Sequence, residues 1–168
     1  FNLPITMFRF FTVYGPWGRP DMALFKFTKA ILSGDAIDVY NYGEMSRDFT
    51  YIDDLVRGMR LLIDAIPEDT DHSKENACKL DSKSQVAPFR VVNIGNSQPS
   101  KLLDFITAIE KSIGIEAVKN LMPMQAGDVP ATWADSSLLA ELTGYRPQID
   151  LSNGIENFIR WYRAYYNC

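Results

Sequence analysis

Residues 5–13 read ITMFRFFTV, a run of β-branched and aromatic side chains interrupted by one arginine. Such a run is typical of a strand that is buried on both faces of a sheet. It leads into residues 14–20, YGPWGRP, where the glycines and prolines predict a loop of defined shape. Residues 22–32 then place apolar side chains on one helical face, and Gly34 is a plausible helix terminator. We therefore expect a strand, a loop and an amphipathic helix in succession.

Strand and helix patterns alternate along the rest of the chain, without an internal repeat. This alternation predicts a mixed α/β fold, although too few strong strands follow one another for a complete doubly wound sheet. Something on the N-terminal side is therefore expected to be missing. Asp53 or Asp54 is a candidate cap for the helix that stops at Pro67, and Asp135 is a candidate cap for a later one. The predicted strands are 37–40, 47–52, 91–95 and 117–122, and the predicted helices are 55–63, 102–113, 136–142 and 155–166.

Length and composition indicate one ordinary globular domain over residues 1–168. The chain is 46% apolar and 23% charged, with 17 Lys and Arg against 21 Asp and Glu. A net charge of −4 argues against binding to nucleic acid, which needs several basic contacts to phosphates. No run approaches the length of a membrane span, and the two cysteines, Cys78 and Cys168, do not suggest a disulfide framework. We expect a cytoplasmic protein.

Residues 67–89 contain few large apolar side chains and are expected to form an exposed polar excursion. The only histidine, His72, lies there without a second histidine or a cysteine at ligand spacing. The residues around Cys78 do not form the kind of basic pattern that activates a thiolate. No metal site is expected.

Three segments contain candidate ligand-binding residues. Arg47, at the start of a predicted strand, is positioned for a bidentate phosphate contact, or it forms a surface ion pair with Asp48. The loop around Arg19 is either a binding loop or a structural turn. Residues 127–130, GDVP, place an acid and a proline between a strand and a helix, which is again a ligand position or a turn.

Longer motifs around these segments occur together in one recognisable order. They are RFFTVYGPWGRPDM at 9–22, YNYGEMSRDFTYIDD at 40–54, RVVNIGN at 90–96 and GDVPATWAD at 127–135. Together they resemble the C-terminal half of the extended short-chain dehydrogenase/reductase family. Within that family they are most similar to the nucleotide-sugar 4-epimerases that act on UDP-glucuronate. The resemblance extends over essentially the whole chain.

The resemblance implies a substrate-binding domain that carries only the last strands of a Rossmann sheet. In the family, an N-terminal half binds NAD through a Gly-x-x-Gly-x-x-Gly motif, and a Tyr-x-x-x-Lys pair performs the proton transfer. Neither motif occurs in this sequence. We therefore expect no catalytic residue in this chain and no NAD bound to it alone, with NAD acting in the full-length parent. The family resemblance also implies a homodimer formed through the missing half.

The resemblance assigns a role to each matching residue near the sugar. Thr12 matches the position that faces the hexose near C4 to C6. Arg19 is a second candidate for the C6 carboxylate, although it can instead reach the pyrophosphate or brace its loop. Gln125 stands where galactose-type epimerases have an arginine, and this difference fits the glucuronate group.

Four further residues are assigned to the nucleotide and the cofactor. Tyr40 matches the aromatic position beside the uracil, and Arg47 matches the arginine that grips the UDP pyrophosphate. Asp128 matches an acid that contacts the ribose. Phe10 falls where an aromatic side chain lies against the nicotinamide of NAD.

Two other functions remain open from the sequence. One is a different extended family member that acts on a UDP- or dTDP-sugar, such as a decarboxylase or a dehydratase. The other is a non-catalytic module that binds nucleotide sugars. Whichever holds, the strand at 5–13 is expected to lack neighbours in its sheet, because a strand buried on both faces needs cover that the absent half would supply.

Overall fold

Strands and helices alternate in the structure, a computed structural model that describes residues 3–67 and 81–168. The α/β class predicted from the sequence is confirmed. Most of the predicted excursion at 67–89 lies outside the described residues, and so do His72 and Cys78. The described strands are β1 Ile5–Phe10, β2 Thr12–Tyr14, β3 Ile37–Val39, β4 Ser46–Tyr51, β5 Phe89–Ile94, β6 Pro99–Lys101, β7 Lys119–Leu121 and β8 Ala131–Thr132, and the α-helices are α1 Ala23–Ser33, α2 Ile52–Leu62, α3 Leu102–Ile113, α4 Ser137–Thr143 and α5 Leu151–Tyr166.

The strand expected at 5–13 is divided in two at Phe11. β1 pairs in parallel with β5, in a register that joins Ile5 to Phe89 and Phe10 to Ile94. β2 pairs instead with β4. The single-strand prediction is therefore wrong, because the chain changes partner strands at Phe11, and hydrophobicity alone does not reveal such a change.

β1 lies at the edge of a two-stranded sheet in the described part of the chain. Its side chains at Ile5, Met7 and Phe10 are all about half exposed. Among the described residues β1 has one neighbour, β5, and it is not buried on both faces as expected. On the other side of β5, the Ser84 amide donates to the Phe89 carbonyl at 2.7 Å.

β4 is the centre of the second sheet. It pairs with β2 and β8 in parallel and with β6 in antiparallel orientation. β6 and β8, of three and two residues, were not predicted, because so short a strand has no readable alternation. A separate pair, β3 with β7, lies beside them.

The larger core lies between β2, β4 and the helices α1, α3 and α5. Phe49 on β4 stacks on Phe105 of α3, with ring centroids 4.2 Å apart. Phe25 of α1 meets Phe158 of α5 edge to face at 4.8 Å. Burial of such aromatic side chains dominates the packing energy of a small core. A second, smaller cluster joins α2 and α4 to β5 through Leu55, Leu139, Val92 and Ile94.

The helix ends agree only in part with the sequence. α1, α3 and α4 end on Gly34, Gly114 and Gly144, all with a left-handed backbone, as their positions predict. The cap expected from Asp53 or Asp54 on α2 is wrong, because Tyr51 occupies the N-cap and its side chain makes no cap bond. α5 begins four residues earlier than predicted, capped by Asp150.

Candidate functional site

Arg47 and Asp128 form the contact that joins two of the predicted site residues. One terminal guanidinium nitrogen of Arg47 donates to Oδ1 of Asp128 at 2.8 Å. The two residues lie 81 positions apart in the chain. Their approach follows from the register of β8 on β4, which pairs Arg47 with Thr132. The strand pairing therefore places the GDVP segment next to Arg47.

The pair is accessible to a ligand. The Arg47 side chain is 21% exposed and the Asp128 side chain 34% exposed. A guanidinium has five N–H donors, and the bonds to Asp128 and to the Ser46 carbonyl, at 3.0 Å, use two of them. A diphosphate can therefore meet the remaining donors of Arg47.

The surface ion pair between Arg47 and Asp48 is not formed. Successive side chains of a strand point to opposite faces, so Asp48 turns away from Arg47 and into the protein. Its carboxylate is completely buried. It accepts hydrogen bonds from the amides of Asn96, Ser97 and Ala134, each at 2.9 Å. The structural alternative considered for Arg47 is therefore wrong.

Thr12 and Arg19 both line a small apolar pocket between the loop at 15–19 and the core. Phe49 and Phe105 form part of the same lining. Gly15 permits the close approach of the loop, because a Cβ on it would lie 2.5 Å from a methyl carbon of Ile52. The loop expected to be shaped is thus packed tightly at its start.

Arg19 itself points outward. Its Nε donates to Oδ1 of Asp21 at 3.0 Å, and the Arg19 side chain is 73% exposed. The hydrogen bond from Arg19 lowers the pKa of the Asp21 carboxyl. Arg19 shares the pocket lining with Thr12, but its ion pair is with Asp21 and not with another predicted site residue.

Tyr40 lies in a second pocket, together with Asp38 of β3 and Lys26 of α1. Directly after it, Asn41 and Tyr42 have φ of 50° and 53°, a left-handed turn held by a bond from the Asn41 amide group to the Glu44 carbonyl at 2.7 Å. Asp21 also lines this pocket. The Arg19–Asp21 ion pair therefore lies between the pocket of Thr12 and the pocket of Tyr40.

Gln125 contacts another predicted residue, Asp128, only through its backbone, and the ring partner of Phe10 is not a predicted site residue. Gln125 is exposed, and its carbonyl accepts from the Asp128 amide at 3.2 Å, which closes the turn before the acid. Phe10 is 51% exposed at the end of β1 and stacks on Phe8, with centroids 6.3 Å apart.

The sequence reasoning missed two buried carboxylates, Asp48 beside Arg47 on β4 and Asp54 on α2. Asp48 binds the three amides described above. Asp54 accepts from the Tyr145 hydroxyl and from the amides of Gln148 and Ile149, at 3.0 and 2.8 Å for the amides. The available signal was the pattern of RDFTYIDD, where acids occupy a strand and a helix start that also carry large apolar residues. Such acids are buried only when they are fully hydrogen-bonded.

Residues 3–67 and 81–168 contain neither a metal-binding cluster nor a membrane-spanning helix. No group of three or more His, Cys, Asp or Glu side chains is arranged to hold a metal ion there. In the same residues, every helix is too short or too polar to cross a membrane.

Comparison with known proteins gives a consistent set of similarities. The profile of the NAD dependent epimerase/dehydratase family matches residues 1–78. A protein of Rhizobium meliloti named probable UDP-glucuronate 4-epimerase is 49% identical over 166 residues, which cover 99% of this chain and 48% of that protein. The chain thus spans about half the length of the curated relatives it matches.

Solved structures agree with the sequence comparison. The crystal structure of UDP-glucuronic acid 4-epimerase from Bacillus cereus, in complex with UDP-glucuronic acid and NAD, matches with a TM-score of 0.78 and 33% identity. The match covers 98% of this chain and 46% of that one. A dTDP-glucose 4,6-dehydratase from Streptomyces venezuelae has a TM-score of 0.77 at 20% identity, over 98% of this chain and 45% of that one, and this likeness concerns the fold alone.

Proposed function

We propose that this chain is the UDP-sugar-binding part of an NAD-dependent nucleotide-sugar 4-epimerase of the NAD dependent epimerase/dehydratase family. The family profile over residues 1–78 and the similarity to UDP-glucuronate 4-epimerases support this proposal. The full-length enzyme interconverts UDP-glucuronate and UDP-galacturonate. In this proposal residues 1–168 form one substrate-binding domain, and an N-terminal half supplies the Rossmann fold and the Tyr-x-x-x-Lys pair.

The observation that carries the proposal is the Arg47–Asp128 pair, at 2.8 Å. It combines a cation for the diphosphate with a carboxylate that can accept from ribose hydroxyls. A ligand with both groups satisfies each partner, whereas a simple anion would satisfy only Arg47. Tyr40 provides an aromatic ring for the pyrimidine, in a pocket that it shares with Lys26.

The choice of a glucuronate rests on three residues. A buried C6 carboxylate requires hydrogen-bond donors, because an uncompensated charge is far more costly to bury than a hydroxyl. Thr12 and Arg19 supply a hydroxyl and a guanidinium around one pocket. Gln125 stands in place of the arginine of galactose-type relatives, and this difference also fits the glucuronate group. We assign the carboxylate to Thr12 and Arg19 together.

The cofactor meets this chain at a single proposed residue. Phe10 is half exposed at the end of β1 and offers a ring face to a nicotinamide. The phosphate-binding glycine motif does not occur in the sequence, so these residues do not suffice to hold NAD. NAD supplies the hydride acceptor in the full-length enzyme, and this chain positions the sugar opposite it.

Two broader features belong to the same proposal. We propose a homodimer whose contacts lie in the N-terminal half, as the family resemblance implies. We also place the enzyme in the cytoplasm, on the basis of its UDP-sugar substrate class.

The test is a turnover assay of the full-length protein with UDP-glucuronate. We expect UDP-galacturonate as the product, with no net consumption of NAD, because the hydride returns to the sugar. Release of carbon dioxide with a UDP-pentose would indicate a decarboxylase, and loss of water would indicate a dehydratase. Binding of UDP-sugar without any product would support the non-catalytic module instead.

A further inference from the structure

Asp48 is a completely buried carboxylate that accepts hydrogen bonds from two different loops. Oδ1 accepts from the Asn96 amide, and Oδ2 accepts from the amides of Ser97 and Ala134, all at 2.9 Å. The residue is 0% exposed. Three backbone amide donors compensate for the burial of this carboxylate.

These three bonds connect β4 to the loop that follows β5 and to the segment that follows β8. The segment from Asp128 to Ala134 is consequently attached to β4 at three points. Arg47 holds Asp128 at one end, Ser46 and Arg47 pair with β8 in the middle, and Asp48 holds Ala134 at the other end. β8 has only two residues, so its pairing alone fixes the segment weakly.

The junction beneath Asp48 has no spare room. A Cβ on Gly95 would lie 2.4 Å from the Ala134 Cβ and 3.0 Å from Oδ2 of Asp48. Ser136 closes the junction, since its Oγ donates to the Gly95 carbonyl at 2.8 Å and accepts from the Gly95 amide at 3.0 Å. Displacement of one loop at this junction therefore displaces the other.

We propose that Asp48 is a positioning residue for the diphosphate and ribose contacts, which sets Asp128 opposite Arg47 by anchoring Ala134. This inference rests on the function proposed above and adds a residue that does not touch the substrate. The side chains of Arg47 and Asp48 lie on opposite faces of β4, because neighbouring strand residues point in opposite directions. Arg47 faces the ligand, and Asp48 faces the loops that frame it.

Asp48→Asn tests the proposal in the full-length protein. An asparagine retains one acceptor oxygen, and its NH2 group would face backbone N–H donors from which it cannot accept; the Asn96 amide also donates to the Thr50 hydroxyl, at 3.1 Å. We expect the Kd for UDP and the KM for UDP-glucuronate to rise by about tenfold or more, with kcat changed by less than about threefold.

Asp54→Asn is the matched control, because Asp54 is also a buried carboxylate with two backbone amide donors. It ties α2 to the segment before α5 and makes no contact with the Arg47–Asp128 pair. A loss of Tm similar to that of Asp48→Asn is expected, with UDP affinity within about twofold of the wild type. Equal losses of UDP affinity in the two variants would overturn the proposal.

A milder pair of variants decides the matter if Asp48→Asn does not fold. Ser136→Ala removes one hydroxyl from the Asp48 junction, and Tyr145→Phe removes one hydroxyl from the Asp54 junction. We expect only Ser136→Ala to raise the Kd for UDP, by about threefold, and a ratio of one between the two variants would overturn the proposal. The proposed function fails separately, if the wild-type protein itself does not bind UDP.

Discussion

Replacement of Arg47 tests the proposed diphosphate contact most directly. Removing one partner of a partly buried charged hydrogen bond costs about 2 kcal/mol or more. Arg47→Ala in the full-length protein should weaken binding of UDP-glucuronate and of UDP alone by this amount, because the lost contact is to phosphate. Isothermal titration calorimetry with both ligands measures it.

Arg60→Ala provides the control for this measurement. Arg60 forms an exposed ion pair with Asp64 on α2, in which its side chain is 66% exposed. Exposed pairs of this kind contribute little. UDP affinity should be unchanged in this variant, and an unchanged affinity in Arg47→Ala as well would remove Arg47 from the site.

Arg19 separates sugar recognition from nucleotide recognition. If it meets the C6 carboxylate, Arg19→Ala should lower kcat/KM for UDP-glucuronate by about tenfold or more while UDP binding stays nearly intact. Arg160→Ala, another exposed arginine paired within a helix, is the control. An equal fall in UDP binding would make Arg19 a phosphate ligand and leave the carboxylate to Thr12.

The buried phenol of Tyr14 makes the stability of the chain depend on pH in the alkaline range. Burial raises the pKa of its phenol above the ordinary value, and its hydroxyl has no hydrogen-bond partner among the described residues. The folded state therefore favours the neutral phenol, so this contribution is complete below about pH 10 and is lost as the pH rises further. Tyr14→Phe should lose less stability above pH 10 than the wild type.

The same substitution should be harmless at neutral pH. Removal of an unpaired buried hydroxyl leaves no partner unsatisfied, so Tyr14→Phe should keep or slightly raise the free energy of unfolding. Tyr145→Phe is the contrast, because its hydroxyl donates to Asp54 and its loss should cost about 1–3 kcal/mol. Urea titrations at pH 7 and above pH 10 give both comparisons. A large loss at pH 7 in Tyr14→Phe would contradict the account.

At the scale of elements, long amphipathic patterns were readable and short pairings were not. α1 and α3 follow their apolar spacing and end on the expected glycines. β8 has two residues, and it pairs with β4 because of a contact between distant parts of the chain. The Arg47–Asp128 contact depends on that pairing, which explains why the sequence supplied both residues but only the resemblance suggested that they share a site.

The acids in RDFTYIDD also have roles that the local sequence does not reveal. Local rules allow Asp54 to cap a helix, yet its carboxylate binds amides 94 and 95 positions away. Those donors occur where Tyr145 and its neighbours pass over α2. A local pattern gives no information about such a partner.

The loop that contains Arg19 packs against α5 through Trp17, and this contact can be tested. Trp17 has a φ of 61°, and its ring meets Trp161 and Tyr165 of α5 at 5.2 and 5.1 Å. These edge contacts offset an unfavourable backbone conformation. Trp161→Ala should release Trp17, which near-ultraviolet circular dichroism detects as a loss of aromatic signal larger than one tryptophan supplies.

This substitution should also affect catalysis through the loop. With Trp17 released, kcat/KM for UDP-glucuronate should fall in the same direction as in Arg19→Ala, while UDP affinity is retained. Tyr166→Ala is the control, because Tyr166 lies on the same helix and contacts Tyr162 and Tyr165 but not Trp17. Equal effects of both variants on kcat/KM would show that the helix, and not its contact with the loop, is responsible.

At the scale of the molecule, several exposed apolar residues lie around one groove beside β1. Leu3, Ile63 and Ile66 are each more than half exposed. A groove beside them is lined by Phe8 of β1 and Leu62 of α2, among others. Together with the edge of β1, these residues form an exposed apolar surface. In the proposed enzyme, the N-terminal half covers this surface.

The last prediction is that UDP binding and the proton and hydride chemistry lie in different parts of the proposed enzyme. The UDP contacts proposed here all lie in this chain, whereas the dinucleotide motif and the Tyr-x-x-x-Lys pair do not occur in it. We therefore expect the 168-residue chain alone to show no turnover of UDP-glucuronate and no detectable NAD binding, while it retains measurable affinity for UDP. Titration of the purified chain with each ligand, beside an Arg47→Ala sample as the control for UDP, makes the comparison. Turnover by the chain, free of contaminating enzyme, would mean that the proton and hydride chemistry resides in residues to which we assign only binding.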